Sequence, residues 1–259
     1  MIDNFFLSNT LYNILLIVIL SLSPVTLILL IFIPAPYGRF IRKGWGPRIK
    51  TKLSWIIMES PAVLLFIVFY FLGENAYNPV SIIFMIIWLT HYIQRTFIYP
   101  FLIKTVYKKD TPILIALMAI TFNTINAYLN ASYITDKDIV YTIDWLFDIR
   151  FILGLCLFVT GYIINRYSDA ILINLRKNSE DKYYIPYGGL FKYVSCPNYL
   201  GEIIQWIGWA LATWSSAGLC FAIFSISNLL PRAITHHRWY KGTFHNYPIN
   251  RKAIIPYIL

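Results

Sequence analysis

Long uninterrupted runs of apolar residues constrain this sequence more than any other feature. Several of them exceed the roughly 18 residues that an α-helix needs to cross the hydrocarbon core of a bilayer. The chain of 259 residues is 58% hydrophobic and only 13% charged, and its mean hydropathy is +0.59. Soluble domains carry about 25% charged residues. The sequence therefore predicts an all-α, integral, multi-pass membrane protein with little soluble mass.

The apolar runs predict seven transmembrane helices in a single membrane domain that covers residues 1–259. Their expected bounds, in chain order, are Leu11–Ile33, Leu53–Leu72, Pro79–Ile103, Pro112–Leu129, Leu146–Leu175, Asn198–Thr213, and a last helix from about Ala217 to beyond Pro231. Pro24 is expected to kink the first helix, because a proline removes one backbone hydrogen bond.

Basic residues are concentrated in the loops on one side of the predicted helices. They are Arg39, Arg42, Lys43, Arg48, Lys50 and Lys52 in the first loop, Lys104, Lys108 and Lys109 in the third, Arg176, Lys177, Lys182 and Lys192 in the fifth, and Arg232, Arg238, Lys241, Arg251 and Lys252 in the tail. The opposite loops carry Lys137, with Arg150 near a helix end. Because basic loops stay in the cytoplasm, this pattern predicts an outside N-terminus and a cytoplasmic C-terminus. The net charge of +10 is then explained by cytoplasmic loops and does not indicate a nucleic-acid partner.

Ionisable side chains lie inside the predicted helices, all in their cytoplasmic halves. Glu59 is in helix 2, Arg95 in helix 3, Arg166 and Asp169 in helix 5, and Glu202 at the start of helix 6. Charged residues in a membrane span are costly and mark substrate or ion pathways. We therefore expect them to converge on one pocket that opens to the cytosol. In the alternative interpretation, each charged pair only links two helices.

Polar residues of helix 5 and nearby arginines have the chemistry of a nucleotide pocket. Asn165 and Asp169 are four residues apart and share one helix face, which suits ribose hydroxyls or a carboxamide. Arg176, Arg232 and Arg251 suit phosphates, since a guanidinium binds them through two hydrogen bonds. Neither GxGxxG after a strand nor GxxxxGK[ST] occurs, which excludes a Rossmann fold and a P-loop.

No metal site is expected. His236, His237 and His245 lack the i, i+4 spacing of a helical zinc site. The three cysteines include no CxxC pair, so a cysteine-based metal site and a disulfide framework are both disfavoured.

Four blocks of the sequence resemble the steroid 5α-reductase family. They are HYIQRTFIY (91–99), NRYSDAILINLRK (165–177), YYIPYGGLFKYVSCPNYLGEIIQWIGWALATW (183–214) and RAITHHRWYKGTFHNYPINRKAIIPYIL (232–259), joined by the MES-P segment around Glu59. The resemblance implies NADPH-dependent reduction of the Δ4 double bond of a 3-oxo-steroid inside a seven-helix bundle, by hydride transfer to the β-carbon of the enone. It points to a bacterial-type member in the inner membrane, or to the endoplasmic reticulum membrane if the source is eukaryotic. The resemblance implies no role for residues 103–145.

The resemblance also implies roles for individual residues. Glu59 and Tyr92 would hold the 3-keto oxygen as the catalytic pair, while Trp55 and Trp206 would pack on the steroid rings. The implied NADPH site consists of Arg95, Asn165, Asp169, Arg176, Tyr183, Asn198, Glu202, Arg232, His236, Tyr240 and Arg251. Helices 1–4 would then form mainly the substrate side, and helices 5–7 with the tail mainly the cofactor side, facing the cytoplasm.

The sequence departs from the family pattern at three places. Arg166-Tyr167 stands where a hydrophobic residue and a histidine are common, Tyr184 where a basic residue is common, and Cys196-Pro197 where small residues often occur. The cofactor pocket remains recognisable despite these changes.

The residue types themselves fit enone reduction. Hydride attack on the β-carbon places negative charge on the carbonyl oxygen, which needs a hydrogen-bond donor in a dry site. Tyr92 can donate that hydrogen bond and serve as the proton source. Glu59 is either protonated and a second donor, or ionised and an orienting partner for Tyr92. The sequence leaves both states open.

Other functions fit parts of the sequence. Isoprenylcysteine-type membrane methyltransferases, which use S-adenosylmethionine, have a similar P-N-Y-L-G turn before a helix, but Glu59 and Tyr92 would have no evident task there. A transporter or lipid-binding bundle predicts polar residues through the full bilayer depth, whereas the polar residues singled out here stop near the middle. Reduction of another enone or enoyl lipid requires the same chemistry, so the native substrate stays open.

Overall fold

The computed structural model describes residues 5–103, 110–177 and 183–259. Lys104, Lys108, Lys109 and Lys182, which contribute to the predicted orientation, lie outside the described residues, as does the side chain of Lys177.

Helices account for most of the described chain. They are α1 (Thr10–Phe32), α2 (Thr51–Glu59), α3 (Pro61–Phe71), α4 (Pro79–Ile93), α5 (Tyr99–Leu102), α6 (Ile113–Ile134), α7 (Ile149–Lys177), α8 (Pro197–Thr213) and α9 (Ser216–Thr243). A π-helical turn, Gln94–Ile98, joins α4 to α5. The strands β1 (Arg48–Ile49) and β2 (Thr111–Pro112) pair antiparallel, with Arg48 opposite Pro112.

Six stretches of the described chain are long and apolar enough to cross a membrane. They are Thr10–Phe32, Thr51–Phe71, Pro79–Leu102, Ile113–Ile134, Ile149–Arg176 and Ser216–Thr243. The helix predicted at 198–213 is present as α8, but its 17 residues are just short of the roughly 18 that a span requires. The helical, multi-pass architecture is confirmed, while the number seven and the orientation of the termini stay predictions.

Capping side chains define the first turns of α4 and α9. Asn78 caps α4, because its side-chain oxygen accepts hydrogen bonds from the amides of Val80 (2.9 Å) and Ser81 (3.3 Å). Ser215 does the same for α9 through the amide of Gly218 at 2.9 Å. These contacts satisfy amides that have no partner inside their own helix. Pro24 lies inside α1, which continues on both sides of it.

Indole rings fill the interior where α3, α4, α6 and α8 meet. Trp88, Trp206 and Trp209 are each at most 1% exposed. Trp88 donates a hydrogen bond to the carbonyl of Ala62 at 2.8 Å, and Trp209 donates to Asn130 Oδ1 at 2.7 Å. Lipid already solvates apolar side chains, so packing and interhelical hydrogen bonds of this kind hold membrane helices together.

Glycines bring the backbones of α7 and α8 into contact. A Cβ added at Gly201 would lie 2.5 Å from the amide nitrogen of Asn165 and 2.7 Å from the carbonyl oxygen of Gly161. A Cβ at Gly208 would lie 2.4 Å from the amide nitrogen of Phe158. Only residues without a side chain permit this approach, which sets Asn165 beside the first turn of α8.

The C-terminal segment is paired with the loop that precedes α8. Lys252 donates its amide to the carbonyl of Tyr193 at 2.9 Å, and its own carbonyl accepts from the amide of Ser195 at 2.8 Å. The amide of Cys196 donates to the carbonyl of Ala253 at 3.1 Å. Residues 193–196, which lead directly into α8, are therefore fixed by backbone contacts to residues 252–253.

Candidate functional site

Five of the predicted site residues form one hydrogen-bonded cluster. Arg95 Nη1 lies 3.3 Å from Asp169 Oδ2, and Arg95 Nη2 lies 3.8 Å from Glu202 Oε2. Asn198 Nδ2 donates to Asp169 Oδ1 at 3.3 Å, and Asn165 Nδ2 donates to the carbonyl of Asn198 at 3.0 Å. The π-helical turn, α7 and α8 thus place one guanidinium between two carboxylates in a largely dry environment.

Aromatic rings cover the guanidinium of Arg95. Its Cζ lies 4.6 Å from the ring centre of Trp55 and 4.7 Å from that of Tyr99. The two rings meet edge to face at 5.2 Å. A cation held over aromatic faces is stabilised electrostatically. Trp55, predicted to contact the substrate, therefore lies against the charged cluster.

A cleft opens beside this cluster. Seven predicted cofactor residues line it, namely Arg95, Asp169, Arg176, Tyr183, Asn198, Arg232 and His236. Trp55 lines it as well, together with Tyr37, Arg39 and Phe40 of the loop between α1 and α2. The fold thus brings these distant sequence positions to one surface, and it adds a loop that the sequence analysis did not assign to the site.

One wall of the cleft carries Arg232 and His236, which have no acidic partner among the described residues. Arg232 Nη2 donates to the hydroxyl of Tyr199 at 3.0 Å, and that hydroxyl lies 3.4 Å from His236 Nε2. The Nδ1 atom of His236 is buried and has no hydrogen-bond partner among the described residues. No carboxylate lies within salt-bridge distance of Arg232 in the described parts of the chain.

Arg39 belongs to the same wall, although the sequence analysis gave it no role. Its guanidinium lies 4.1 Å from the ring centre of Trp239 and 4.7 Å from that of Tyr183, and its Nη2 donates to the hydroxyl of Tyr240 at 3.4 Å. Its Nη1 is buried without a partner within residues 5–103, 110–177 and 183–259. A buried donor without an acceptor costs free energy, so this wall is chemically suited to an anionic ligand.

Four of the predicted cofactor residues do not line the cleft. Asn165 and Glu202 lie behind Asn198 and Arg95, where they hold those side chains. Tyr240 is 4% exposed and lies beneath Arg39. Arg251 is 3% exposed and donates Nη1 to the carbonyl of Pro186 at 3.1 Å. In this structure these four residues support side chains or loops of the cleft from behind.

The predicted catalytic residues lie deeper in the bundle and do not line the cleft. Glu59, at the end of α2, accepts a hydrogen bond from Asn123 Nδ2 at 3.3 Å. Tyr92 is 3% exposed, its ring is stacked on that of Trp206 at 5.7 Å, and Asn126 lies beside its hydroxyl. Among the described side chains, no hydrogen bond joins Glu59 to Tyr92.

His91 packs next to this pair. Its ring centre lies 5.0 Å from that of Tyr92 and 4.7 Å from that of Trp206, and Gln205 Nε2 donates to its Nδ1 at 2.9 Å. Because Nδ1 accepts this hydrogen bond, the neutral ring of His91 carries its proton on Nε2.

A row of buried asparagines on α6 was not predicted from the sequence. Asn123, Asn126 and Asn130 are at most 7% exposed, and Asn130 Nδ2 donates to Asn126 Oδ1 at 2.9 Å. Their spacing of three and four residues on one helix face is visible in the sequence, but they carry no charge and lie in a segment to which no resemblance was extended. Asn130 is near the end of α6 opposite to the cluster, so buried polar side chains are not confined to the end of the bundle that holds the cluster.

The described residues contain no group of three or more histidine, cysteine, aspartate or glutamate side chains arranged to hold a metal ion.

Comparison with known proteins decides the family. The profile described as 3-oxo-5-alpha-steroid 4-dehydrogenase matches residues 109–259. The chain is 42% identical over 256 residues to the steroid 5-alpha-reductase DET2 of Arabidopsis thaliana, covering 96% of this chain and 97% of that protein. This chain belongs to the 3-oxo-5-alpha-steroid 4-dehydrogenase family. The resemblance inferred from the four sequence blocks is confirmed.

Mammalian relatives match at a similar level. The 3-oxo-5-alpha-steroid 4-dehydrogenase 1 of Rattus norvegicus is 40% identical over 227 residues, covering 87% of this chain and 86% of the relative. The Homo sapiens protein of the same name is 41% identical over 225 residues, covering 86% and 85%. The family's steroid dehydrogenase character identifies the chain as an oxidoreductase that acts on a CH–CH group. The matches also include residues 109–145, most of the segment left out of the initial resemblance.

Proposed function

We propose that this chain reduces the Δ4 double bond of a 3-oxo-Δ4-steroid to the 5α-reduced 3-oxo-steroid, with NADPH as the reductant. The main support for this proposal is the distribution of charged groups in the cleft. One wall presents Arg39, Arg232 and His236, which have no acidic partner among the described residues. The other presents Arg95 and Asp169, behind which Glu202, Glu59 and Tyr92 lie. Family membership favours this reaction over the methyltransferase and transporter alternatives.

The residues of the cleft fit a dinucleotide phosphate. The buried Nη1 of Arg39 and Nδ1 of His236 have no acceptor among the described residues, and phosphate oxygens are strong acceptors for such groups. Arg39, Arg176 and Arg232 would hold the phosphates, while Asp169 and Asn198 would hold ribose hydroxyls or the carboxamide. NADPH, when bound, supplies the hydride.

The other assigned cofactor residues act on these contacts indirectly. Asn165 and Glu202 fix the positions of Asn198 and Arg95, while Tyr240 and Arg251 support Arg39 and the loop 183–187. Tyr183 packs on Trp239 at 5.3 Å and, with His236, completes the phosphate-binding wall.

Tyr92 stabilises the charge that develops on the substrate. When hydride is added to C5, the electron pair of the double bond moves toward the 3-keto oxygen, and C4 later takes a proton. The hydroxyl of Tyr92 donates a hydrogen bond to that oxygen and passes its proton to it. When the resulting enol becomes the ketone, C4 gains a proton from water and the oxygen returns its proton to Tyr92. Because the residue is almost fully buried, little water competes for this contact, and a fixed donor in a dry site is especially effective.

Glu59 acts at the same oxygen in one of two ways. If protonated, it donates a second hydrogen bond. If ionised, it orients the Tyr92 hydroxyl. In both states the amide of Asn123 holds the carboxyl group in place, and Trp55 and Trp206 form apolar contacts with the steroid rings.

The membrane arrangement completes the proposal. The protein spans the membrane seven times, with α8 as the short sixth span, an outside N-terminus and a cytoplasmic C-terminus. The cleft then faces the cytoplasm, where NADPH is available, and the steroid arrives from membrane lipid. The membrane is the inner membrane of a bacterium or the endoplasmic reticulum membrane of a eukaryote. Helices 1–4 contribute mainly to the substrate side and helices 5–7 mainly to the cofactor side.

An isotope experiment tests the reaction. Purified protein in lipid nanodiscs receives a 3-oxo-Δ4-steroid and NADPH deuterated at the transferable position of the nicotinamide. The proposal expects loss of the enone absorbance and a 5α product that carries deuterium at C5, identified by mass spectrometry. Reduction of an α,β-unsaturated polyprenyl lipid without reduction of the steroid would instead support the alternative substrate class. Unchanged steroid and unchanged lipid would refute an enone reductase.

A further inference from the structure

A second depression lies on the outer surface of the bundle, between α4 and α7. Residues of α4 and of the π-helical turn form its apolar wall, among them Ile86, Ile93 and Ile98, and Tyr162 of α7 lies opposite. The three isoleucines are 43–56% exposed. Within a membrane-spanning segment, an exposed apolar surface of this kind contacts lipid. The depression is therefore a groove that opens to the bilayer and is separate from the cleft.

One polar side chain in this groove lacks a partner. Gln94 is 8% exposed and lines the groove, and its Nε2 is buried without a hydrogen-bond partner among the described residues. The neighbouring hydroxyl of Thr90 is already bonded to the carbonyl of Ile86 at 2.8 Å. An amide nitrogen donates and does not accept. The groove thus offers a donor to a ligand that carries an acceptor oxygen.

Within the π-helical turn, two adjacent residues line two different sites. The amide of Tyr99 bonds to the carbonyl of Gln94, five residues back, and turns of this type are rare and frequent at functional sites. Arg95 lines the cleft, whereas Gln94 lines the groove. The two sites therefore share one turn of backbone.

Depth in the membrane restricts the ligand. Gln94 is eight residues from Leu102, the end of its span, which corresponds to about 12 Å along the helix and places it about 5 Å from the middle of that span. Phospholipid ester carbonyls lie at the edge of a hydrocarbon core about 30 Å thick. An acceptor that reaches Gln94 must therefore be attached to a body that is itself immersed among acyl chains.

A chain of aromatic rings connects the groove to the predicted catalytic residue. The ring of Tyr162 lies 6.3 Å from that of His91, and His91 lies 5.0 Å from Tyr92. A ligand that contacts Tyr162 is thus separated from Tyr92 by two side chains, those of Tyr162 and His91.

We propose that the groove between α4 and α7 is an access site, in which a 3-oxo-steroid taken from the bilayer is held by a hydrogen bond from Gln94 Nε2 to its ketone before it reaches Tyr92. The identity of the ligand rests on the proposed function. The apolar ring system of a 3-oxo-steroid matches the isoleucine wall, and the ketone of the steroid is an acceptor at the required depth.

Photolabelling tests the site directly and needs no turnover. A 3-oxo-Δ4-steroid with a diazirine on the ring opposite to the ketone is added to nanodiscs without NADPH, and labelled peptides are identified by mass spectrometry. We expect labels on Ile86, Ile93 or Ile98 and on Tyr162, which line the groove, and not on Tyr92 or Trp206, which belong to the proposed reaction site. An unlabelled 3-oxo-steroid should compete, and the 3-deoxy analogue should not. If neither the 3-oxo-steroid nor its 3-deoxy analogue lowers the labelling, the groove holds bulk lipid only, and the proposal fails.

Matched variants test the same site by kinetics. Ile93→Trp fills the groove, while Leu117→Trp places the same ring on the exposed lipid face of α6. We expect Ile93→Trp to raise the steroid KM about tenfold with unchanged kcat and NADPH affinity, and Leu117→Trp to change none of them. Gln94→Leu should weaken photolabelling roughly five- to tenfold, as for the loss of one hydrogen bond. A wild-type KM in Ile93→Trp would overturn the access role.

The outcomes separate this proposal from the proposed reaction. Competed labelling in the groove, together with no steroid reduction, would retain the binding site and refute the reductase. Steroid reduction without competed labelling would retain the reductase and refute the access site.

Discussion

Arg95 and Asp169 form an ion pair of 3.3 Å that joins the π-helical turn after α4 to α7. The Asp169 side chain is 2% exposed, and its second oxygen accepts the hydrogen bond from Asn198. One carboxylate therefore fixes two further side chains of the cleft. Its removal would release Asn198 and leave Arg95 with Glu202 as its acidic partner in the cluster.

Asp169→Ala is expected to weaken NADPH binding by at least about tenfold, because charge-assisted hydrogen bonds contribute more than neutral ones. Fluorescence titration with NADPH measures the change, and steroid binding without cofactor should persist. Asp148→Ala is the matched control, since Asp148 pairs with Arg150 at 2.6 Å near the opposite end of α7. Hydrogen bonds from Arg150 lower the pKa of Asp148 to about 2, so the control pair is intact throughout a neutral assay. Equal NADPH affinity in Asp169→Ala and wild type would show that the cluster is purely structural.

Tyr92→Phe removes the hydroxyl and retains the ring that stacks on Trp206. We expect turnover to fall on the order of 10²-fold or more, as for the loss of one oxyanion donor. Substrate affinity should change less, because the ground-state ketone carries less charge. Single-turnover loss of NADPH fluorescence gives the rate of hydride transfer.

Tyr70→Phe provides the control for this experiment. The Tyr70 hydroxyl is also buried and donates to the carbonyl of Ala76 at 2.7 Å, but it is far from the cluster in sequence and does not line the cleft. Its loss should lower stability by about 1 kcal/mol and leave hydride transfer unchanged. A wild-type hydride-transfer rate in Tyr92→Phe would refute the role of Tyr92, and His91 would become the next candidate for the proton donor.

Variants of Glu59 distinguish its two possible states. Glu59→Gln retains a donor but cannot ionise, and Glu59→Ala loses both functions. If Glu59 acts as a protonated acid, Gln should retain measurable turnover while Ala loses it. If it acts as a carboxylate, both should be equally poor. Steady-state turnover of the two variants gives the answer, and near-wild-type activity in Glu59→Ala would remove Glu59 from the mechanism.

Gly201→Ala tests the close contact of α7 and α8. The added methyl group would overlap backbone atoms of Asn165 and Gly161, so we expect a loss of about 1–3 kcal/mol in stability and weaker NADPH binding as Asn165 moves away from Asn198. Thermal unfolding and NADPH titration measure the two effects. Gly242→Ala is the control, because no atom lies within 4 Å of its added Cβ. Equal melting temperatures for the two variants would contradict this account of the helix contact.

Reporter fusions test the proposed topology. Insertions at Glu74 and at Lys137 should report the outer side, and one at Lys192 the cytoplasmic side, because the basic loops lie on one side of the predicted spans. A cytoplasmic signal at Glu74 or Lys137 would exclude the proposed arrangement.

Hydropathy predicted the membrane helices well because a bilayer demands long apolar runs. It could not decide whether α8 counts as a span, since its 17 residues fall at the limit of length. Five ionisable residues were predicted to converge because unpaired charge is costly at that depth, and three of them, Arg95, Asp169 and Glu202, form the cluster. Glu59 lies deeper in the bundle, and Arg166 has no ion pair with the cluster among the described residues. The actual partners of the cluster residues depend on the contact of α7 with α8, which spacing along the sequence does not reveal.

Other residues of the site were harder to predict from the sequence. Arg39 is one of several basic residues in its loop, and only the fold shows that it is enclosed by Tyr183, Trp239 and Tyr240. The asparagines of α6 have a regular spacing, but a search for charged groups overlooks neutral amides. The π-helical turn at Gln94 has no known sequence signal of its own, so the separation of Gln94 from Arg95 required the structure.

The pairing of Lys252 with residues 193–195 has a consequence for biogenesis. Both α8 and α9 must be inserted and folded back before this contact can form, since they separate its two halves in the chain. The loop that presents Asn198 is therefore fixed late, after the translocon has released the helices. A chain truncated after Asn250 would retain the helices α1–α9 and lack the backbone partner of residues 193–196, so the start of α8 would be held less firmly than in the full chain.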